Sequence, residues 1–367
     1  MNFLRKLVSF FVGGLFIFSG LIKLNDPVGT AIKLEEYFEV FSADFASFFH
    51  IFIPIALPLA VFLCVFEVVL GVAILVGFKA RMTLLATFAL ILFFSFLTFY
   101  SAYFEKVTDC GCFGDAIPLD PWESFIKDVI LFVLILFLLS DFKNLSNSSE
   151  KMSFIIVGGS TVFCLAVAIY VLTYLPILDF RSYKIGNYIR ELMQPQEQCK
   201  YEYIMEKNGE VFVFEQYPTD PDFKFKEMKM LNEKACSPKI VDYNVSSVEG
   251  EDFTEESLQG KKLIILVHKV SETDFESFKA INQLISDLEK SHPDIIPMAF
   301  TSDGSNFEEF RHDVQLAIPY YFVDSTVLKA MIRSNPGIMV FDNGTVKGKW
   351  SYNAVPVQEE IVKAINN

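Results

Sequence analysis

The first 180 residues hold five apolar stretches of membrane-spanning length, and this most constrains what the chain can become. Residues 7–22 carry no charge, and Lys23 at their end can snorkel. Residues 51–78 carry one charge, Glu67. Residues 82–104 and 153–178 carry none, and residues 122–140 open with Glu123, Lys127 and Asp128 before running purely apolar. The excess of apolar residues, 52% of 367 with 40 Phe, lies almost entirely in this half. The chain therefore reads as a membrane half followed by a soluble half. Arg5 and Lys6 precede the first stretch as in a signal peptide. No A-x-A-like site follows, however, and Lys23-Leu24-Asn25-Asp26-Pro27 is a poor cleavage region, so the stretch reads as a span.

Basic residues set the expected orientation. With the N-terminus in the cytoplasm, Arg5, Lys6, Lys79, Arg81, Lys143 and Lys151 fall inside, and the opposite loops hold mostly acidic residues. Five spans then place everything after Leu178 outside, which in a bacterial inner membrane is the periplasm, where disulfides persist. From residue 176 onward there are 21 Lys and Arg against 31 Asp and Glu, ten of the fourteen net negative charges. That balance argues against nucleic-acid binding. The expected partners are the lipid bilayer and an exported or envelope protein.

Cys64 and Cys164 lie within spans and read as small buried hydrophobes. The other four cysteines, Cys110, Cys112, Cys199 and Cys236, are all expected outside and allow three pairings. The simplest is Cys110 with Cys112 and Cys199 with Cys236, the second stapling a small subdomain. The first pair sits in Asp109-Cys110-Gly111-Cys112-Phe113-Gly114-Asp115, a polar gap between two apolar stretches. Such a pair can exchange electrons, bind a metal, or close a local structural disulfide in a tight turn. Its flanking carboxylates do not favour a thiolate. Glu67 is the acidic residue deepest in a span, where a charge is costly and marks function by default. It could relay a proton or hydrogen-bond a quinone, or simply hold two helices together from a protonated carboxyl. Lys23 is expected near the outer end of its span and Glu67 at or below mid-membrane, which makes them improbable partners.

Three ordered motifs carry a family resemblance over about residues 1–142. Phe16-Ile17-Phe18-Ser19-Gly20-Leu21-Ile22-Lys23-Leu24-Asn25-Asp26-Pro27 resembles the first span of DoxX-like membrane proteins. The Glu67 stretch is similar to their second helix, and the Cys110-Gly111-Cys112 segment resembles the cysteine motif of the methylamine-utilisation MauE branch. The resemblance implies a four-helix bundle over residues 1–142, linked to quinone-coupled sulfur oxidation or to disulfide formation in exported proteins. It marks Cys110 and Cys112 as the candidate redox pair, and Glu67 and Lys23 match family positions whose roles the resemblance does not assign; in the redox reading Glu67 assists protonation. A quinone is the candidate cofactor, and no metal is expected. Residues 143–178 would add a cytoplasmic loop and a fifth transmembrane helix.

Residues 179–245 read as a small β-rich subdomain, because two strand-like runs flank Asn208-Gly209, a strong hairpin signal. Residues 246–367 alternate strand and helix patterns and close with a hairpin at Asp342-Asn343-Gly344, an α/β order that resembles a thioredoxin or peroxiredoxin-like fold. Pro336 stands where that fold often has a cis-proline. The segment that should hold its redox cysteines reads Lys269-Val270-Ser271-Glu272-Thr273-Asp274, so this domain is expected to bind rather than to exchange thiols. His50, His268, His292 and His312 show no metal-ligand spacing.

Two functions follow. In the first, the chain is a membrane thiol–disulfide oxidoreductase that cycles Cys110 and Cys112 at the periplasmic face. In the second, it is a non-enzymatic scaffold or complex subunit, and the cysteine motif is a clip.

Overall fold

The computed structural model describes residues 2–107, 111, 113–117, 119–141, 149–195, 197–232 and 236–367. They divide into two compact units, 1–180 and 181–367.

The first unit is helical. Helix α1 (Asn2–Asn25) stops where the Asp26 carboxylate accepts from the Gly29 amide at 2.9 Å and Pro27 opens α2 (Pro27–Asp44). The sequence reading left α2 as an outer loop because its mixed composition shows no membrane-length apolar run. A 3-10 stretch, Ser47–Ile55, leads into α3 (Ala56–Val76), which ends on Gly77 in the left-handed region at φ 66°. Helix α4 (Ala80–Phe104) follows. Helix α5 (Pro121–Leu139) starts with an Asp120–Glu123 capping box, and α6 (Glu150–Thr173) starts with Ser149 capping the Met152 amide.

By length and composition, four helices among the described residues can cross a membrane: Phe3–Asn25, Ser47–Val76, Ala80–Phe104 and Glu150–Thr173. Helix α5 falls outside that group because Glu123, Lys127 and Asp128 crowd its first two turns. The lipid-length helices show Phe and Ile outward, as hydrocarbon requires, and bury Val12, Phe16, Leu70, Ile74, Leu84 and Ile91, with Ile135 of α5 packed against them.

Helices α1 and α3 touch backbone to backbone. A Cβ at Gly71 would lie 2.7 Å from the Gly13 carbonyl oxygen and 2.9 Å from the Ile17 nitrogen, and one at Gly20 would lie 2.9 Å from the Val68 nitrogen. Small residues at this spacing let membrane helices approach where no hydrophobic force drives them together.

The second unit holds two sheets. In the first, β1 (Tyr201–Lys207), β2 (Glu210–Phe214) and β3 (Lys224–Met230) run antiparallel in the order β2-β1-β3. Asn208 and Gly209, both at positive φ, make the β1–β2 turn. The third strand was not anticipated, since its alternation of Lys with Phe and Met lacks β-branched residues.

The second sheet has the order β6-β5-β4-β7-β8. Strands β4 (Lys261–Val267), β5 (Ile295–Thr301) and β6 (Tyr320–Phe322) are parallel, linked through α7 (Phe278–Ser291) and α8 (Gly304–Asp313). After α9 (Ser325–Met331) and a cis Asn335–Pro336 peptide, β7 (Gly337–Asp342) and β8 (Thr345–Ser351) return antiparallel, followed by α10 (Gln358–Asn366). Strand β4 is buried on both faces, so it reads as the continuous apolar run Leu263-Ile264-Ile265-Leu266-Val267. The segment entering this unit lines the outer edge of β8: Gly186 donates to Val346, Val346 to Asn187, and Ile189 to Gly344.

Candidate functional site

The sequence-derived membrane carboxylate has a partner. Lys23 Nζ lies 2.7 Å from Glu67 Oε2, and both residues are over nine-tenths buried. The Lys23 ammonium also sits 4.6 Å from the centre of the Phe94 ring. This corrects the expectation that the two stand at different depths. The α-helix runs Ala56–Val76 and Glu67 sits about 16 Å along it, at its middle. Antiparallel packing at the Gly20–Val68 contact then puts Lys23 within one turn of Glu67. An unpaired charge here would cost several kcal/mol, and pairing offsets most of it. Cys64, one turn before Glu67, lies 3.9 Å from the Thr30 hydroxyl.

A second polar group lies between α4 and α5. Asp128 is fully buried, accepts from Thr98 Oγ1 at 3.0 Å and pairs with Lys127. The hydroxyls of Ser95 and Ser124 are buried there without a partner among the described residues. Sequence reading treated Lys127 and Asp128 as the charged start of a span. The signal it missed is the Ser124–Asp128 spacing of four, which puts both on one helical face.

Cys110 and Cys112 lie outside the described residues. Their neighbours are described. Gly111 and Gly114 take positive φ, 61° and 51°, and the Gly114 amide donates to the Gly111 carbonyl at 3.1 Å. Phe113 is buried against Phe18 of α1, ring centres 5.8 Å apart, with Lys127 5.5 Å from its ring. A Cβ at Gly114 would meet Ile22, the residue before Lys23, at 3.7 Å. The described flank of the cysteine motif thus rests on the last turns of α1, with Lys127 of α5 over the Phe113 ring.

In the second unit, Cys199 and Cys236 form a disulfide that joins the approach to β1 with the chain after β3. The loop after β4 is closed by its own polar groups. Asn335 accepts from the His268 amide at 3.0 Å and donates to the Lys269 carbonyl at 2.8 Å, and Asp303 accepts from the Val270 amide at 3.0 Å. Burial, and then Lys329 and Arg333, push the His268 imidazole down to about 4, and its Nε2 has no partner among the described residues. His312 pairs with Glu308 at 3.0 Å on the surface. Among the described residues no group of three His, Cys, Asp or Glu is arranged to hold a metal.

Residues 1–141 match the family described as methylamine utilisation protein MauE. Protein TlpB of Flavobacterium psychrophilum is 31% identical over 164 residues, which is 43% of this chain and 41% of that protein. The match therefore spans about two fifths of the relative's length. A candidate electron transfer protein from Aquifex aeolicus VF5 aligns at 15% identity over 34% of this chain and 92% of that one, with a TM-score of 0.28, a likeness too slight to carry an argument. The chain is a multi-pass membrane protein, MauE-like over its first 141 residues.

Proposed function

We propose that this protein is an inner-membrane thiol–disulfide oxidoreductase that serves the redox maturation of exported proteins through Cys110 and Cys112. The observation that carries the reading is the seat of Phe113 and Gly114 on Phe18 and Ile22 of α1, the helix that also supplies Lys23 to the buried Lys23–Glu67 pair. The MauE-like match, the DoxX-like first span and the TlpB likeness support it. In this reading α5 also crosses the membrane as a fifth span, the N-terminus is cytoplasmic, Cys110 and Cys112 face the periplasm, and residues 181–367 are exported.

Oxidation of the dithiol to a disulfide releases two electrons and two protons. Glu67, held by Lys23, is positioned to take a proton inside an apolar bundle, and Lys23 holds the compensating charge. The buried hydroxyls of Ser95 and Ser124, without a partner among the described residues, are donors of the kind a quinone carbonyl oxygen accepts from. A bound quinone would supply the two-electron acceptor.

One observation favours a second reading, a non-enzymatic scaffold. The loop after β4 holds no cysteine and is closed by Asn335 and Asp303, so the thioredoxin-like unit of this proposal binds rather than exchanges.

Differential alkylation with mass spectrometry on native membranes tests the first reading. A partly oxidised Cys110–Cys112 pair that reduces under mild reductant, while Cys199–Cys236 stays closed, is the expected result. A pair that is always reduced, or locked and resistant, overturns it and leaves the scaffold.

A further inference from the structure

The cysteine motif is acidic in sequence, with Asp109 and Asp115 at its ends, and such flanks keep a thiol protonated. Thiol–disulfide exchange needs the thiolate as the attacking group. A motif that exchanges therefore needs a cation brought to it by another part of the fold. Two lysines meet its described residues.

Gly111, bonded to both cysteines, lies against Lys33 of α2: a Cβ there would stand 3.5 Å from Lys33 Cγ. Phe113, bonded to Cys112, has the Lys127 ammonium of α5 5.5 Å from its ring centre. Both lysine side chains are largely withdrawn from solvent, 30% exposed for Lys33 and 22% for Lys127. Each is held by a carboxylate, Lys33 by Glu36 at 3.2 Å one turn on and Lys127 by Asp128. The two pairs differ in what they offer. Glu36 is half-exposed, so water weakens the field of its pair. Asp128 is fully buried and accepts from Thr98, so its carboxylate is committed to the α4–α5 interface while the ammonium reaches Phe113. The ring contact fixes where that cation stands, and its burial limits screening by salt. Helix α1 presents Phe18 and Ile22 to the motif, and its own lysine, Lys23, is held by Glu67.

We infer that Lys127, seconded by Lys33, is a positioning residue that holds Cys112 as a thiolate. The thiol gives its proton to solvent, and the ammonium stabilises the sulfur anion that remains. Cys112 rather than Cys110 is the attacking thiol, because it is the one bonded to both Gly111 and Phe113. This rests on the redox reading above for its use, and it adds which thiol attacks and what activates it.

Full-length chains in native membranes test this. Each is reduced with a phosphine, alkylated with iodoacetamide across a pH series, and read by peptide mass spectrometry. C110S leaves Cys112 as the motif thiol, and C112S leaves Cys110. Cys112 is expected to react with a midpoint pH below that of Cys110. K127M in the C110S chain should raise the Cys112 midpoint by about one pH unit, and K33M by less. K127R, which keeps the charge, should restore the parent midpoint, and K79M at the far end of α4 should leave it unchanged. A Cys112 midpoint at or above that of Cys110 overturns the inference. So does an unshifted K127M, or a K127R shifted as far as K127M, which would make Lys127 a packing residue only. Should K127M not accumulate in the membrane, K33M and E36Q decide. They should move the midpoint up and down respectively, and equal or absent shifts overturn the inference. The redox reading fails separately. A Cys112 thiolate that is never oxidised in untreated membranes sinks that reading and not this one, and a cycling pair with an ordinary Cys112 midpoint does the reverse.

Discussion

The membrane unit and the second unit treat buried polarity in opposite ways. Between α1 and α3 an ammonium and a carboxylate meet in an apolar bundle with a single Phe ring beside them. At the end of β4 the loop is closed by Asn335 and by the Asp303 carboxylate on backbone groups, and the buried ring of His268 is held uncharged. The first arrangement keeps charge available where water is absent, at the cost of depending on both partners. The second keeps its buried ring neutral and leaves charge to the exposed Lys269–Glu272 pair of the loop.

The largest expected effect comes from breaking the membrane pair. Lys23→Ala or Glu67→Ala alone leaves a buried charge and should cost about 3–5 kcal/mol, while Lys23→Leu with Glu67→Leu together should recover most of it. Unfolding in detergent measures this. A double variant as unstable as either single one would show that the pair does not act as a unit. Loss of redox cycling in a stable double variant would place the pair in the chemistry.

The opposite charge economy predicts acid sensitivity in the second unit. His268 titrates near 6.5 when unfolded and about 4 when folded. Between those values the unfolded chain binds more protons, so this stability is complete above about pH 6.5 and is lost as pH falls toward 4. The full swing is up to about 3 kcal/mol. Thermal melts of His268→Gln between pH 7 and 4 should show a flatter slope than the parent, and parallel slopes would contradict the assignment.

The smallest effect sharpens the packing side. Gly71→Ala puts a methyl against the Gly13 carbonyl and should cost about 1–3 kcal/mol, whereas Gly158→Ala, which meets nothing within 4 Å, should be neutral or slightly stabilising. Equal melting of the two variants would mean that α1 and α3 are not in backbone contact.

Much of this was legible in the residues. Strands β4, β5 and β7 and helix α7 follow from apolar runs and a period of 3.6, and the two Asn-Gly turns announce their hairpins. Glu67 stood out because charge is rare in a span. What stayed hidden depended on register between elements. Lys23 sits at a helix end, where snorkelling explains it equally well, and only the Gly20–Val68 contact reveals that it meets Glu67. Asp128 looked like a boundary marker because its partner, Thr98, is thirty residues away on another helix. Strand β3 was missed because its lysines and methionines are weak strand formers, placed there by cross-strand pairing with β1.

The backbone ladder between residues 186–189 and the end of the β7–β8 hairpin bears on how the second unit can be produced alone. A recombinant fragment cut at residue 200 or 245 would begin after that ladder. It would present β8 as a bare sheet edge, inviting self-association of the purified material. A fragment starting at Arg181 carries its own edge cover and is the one to express.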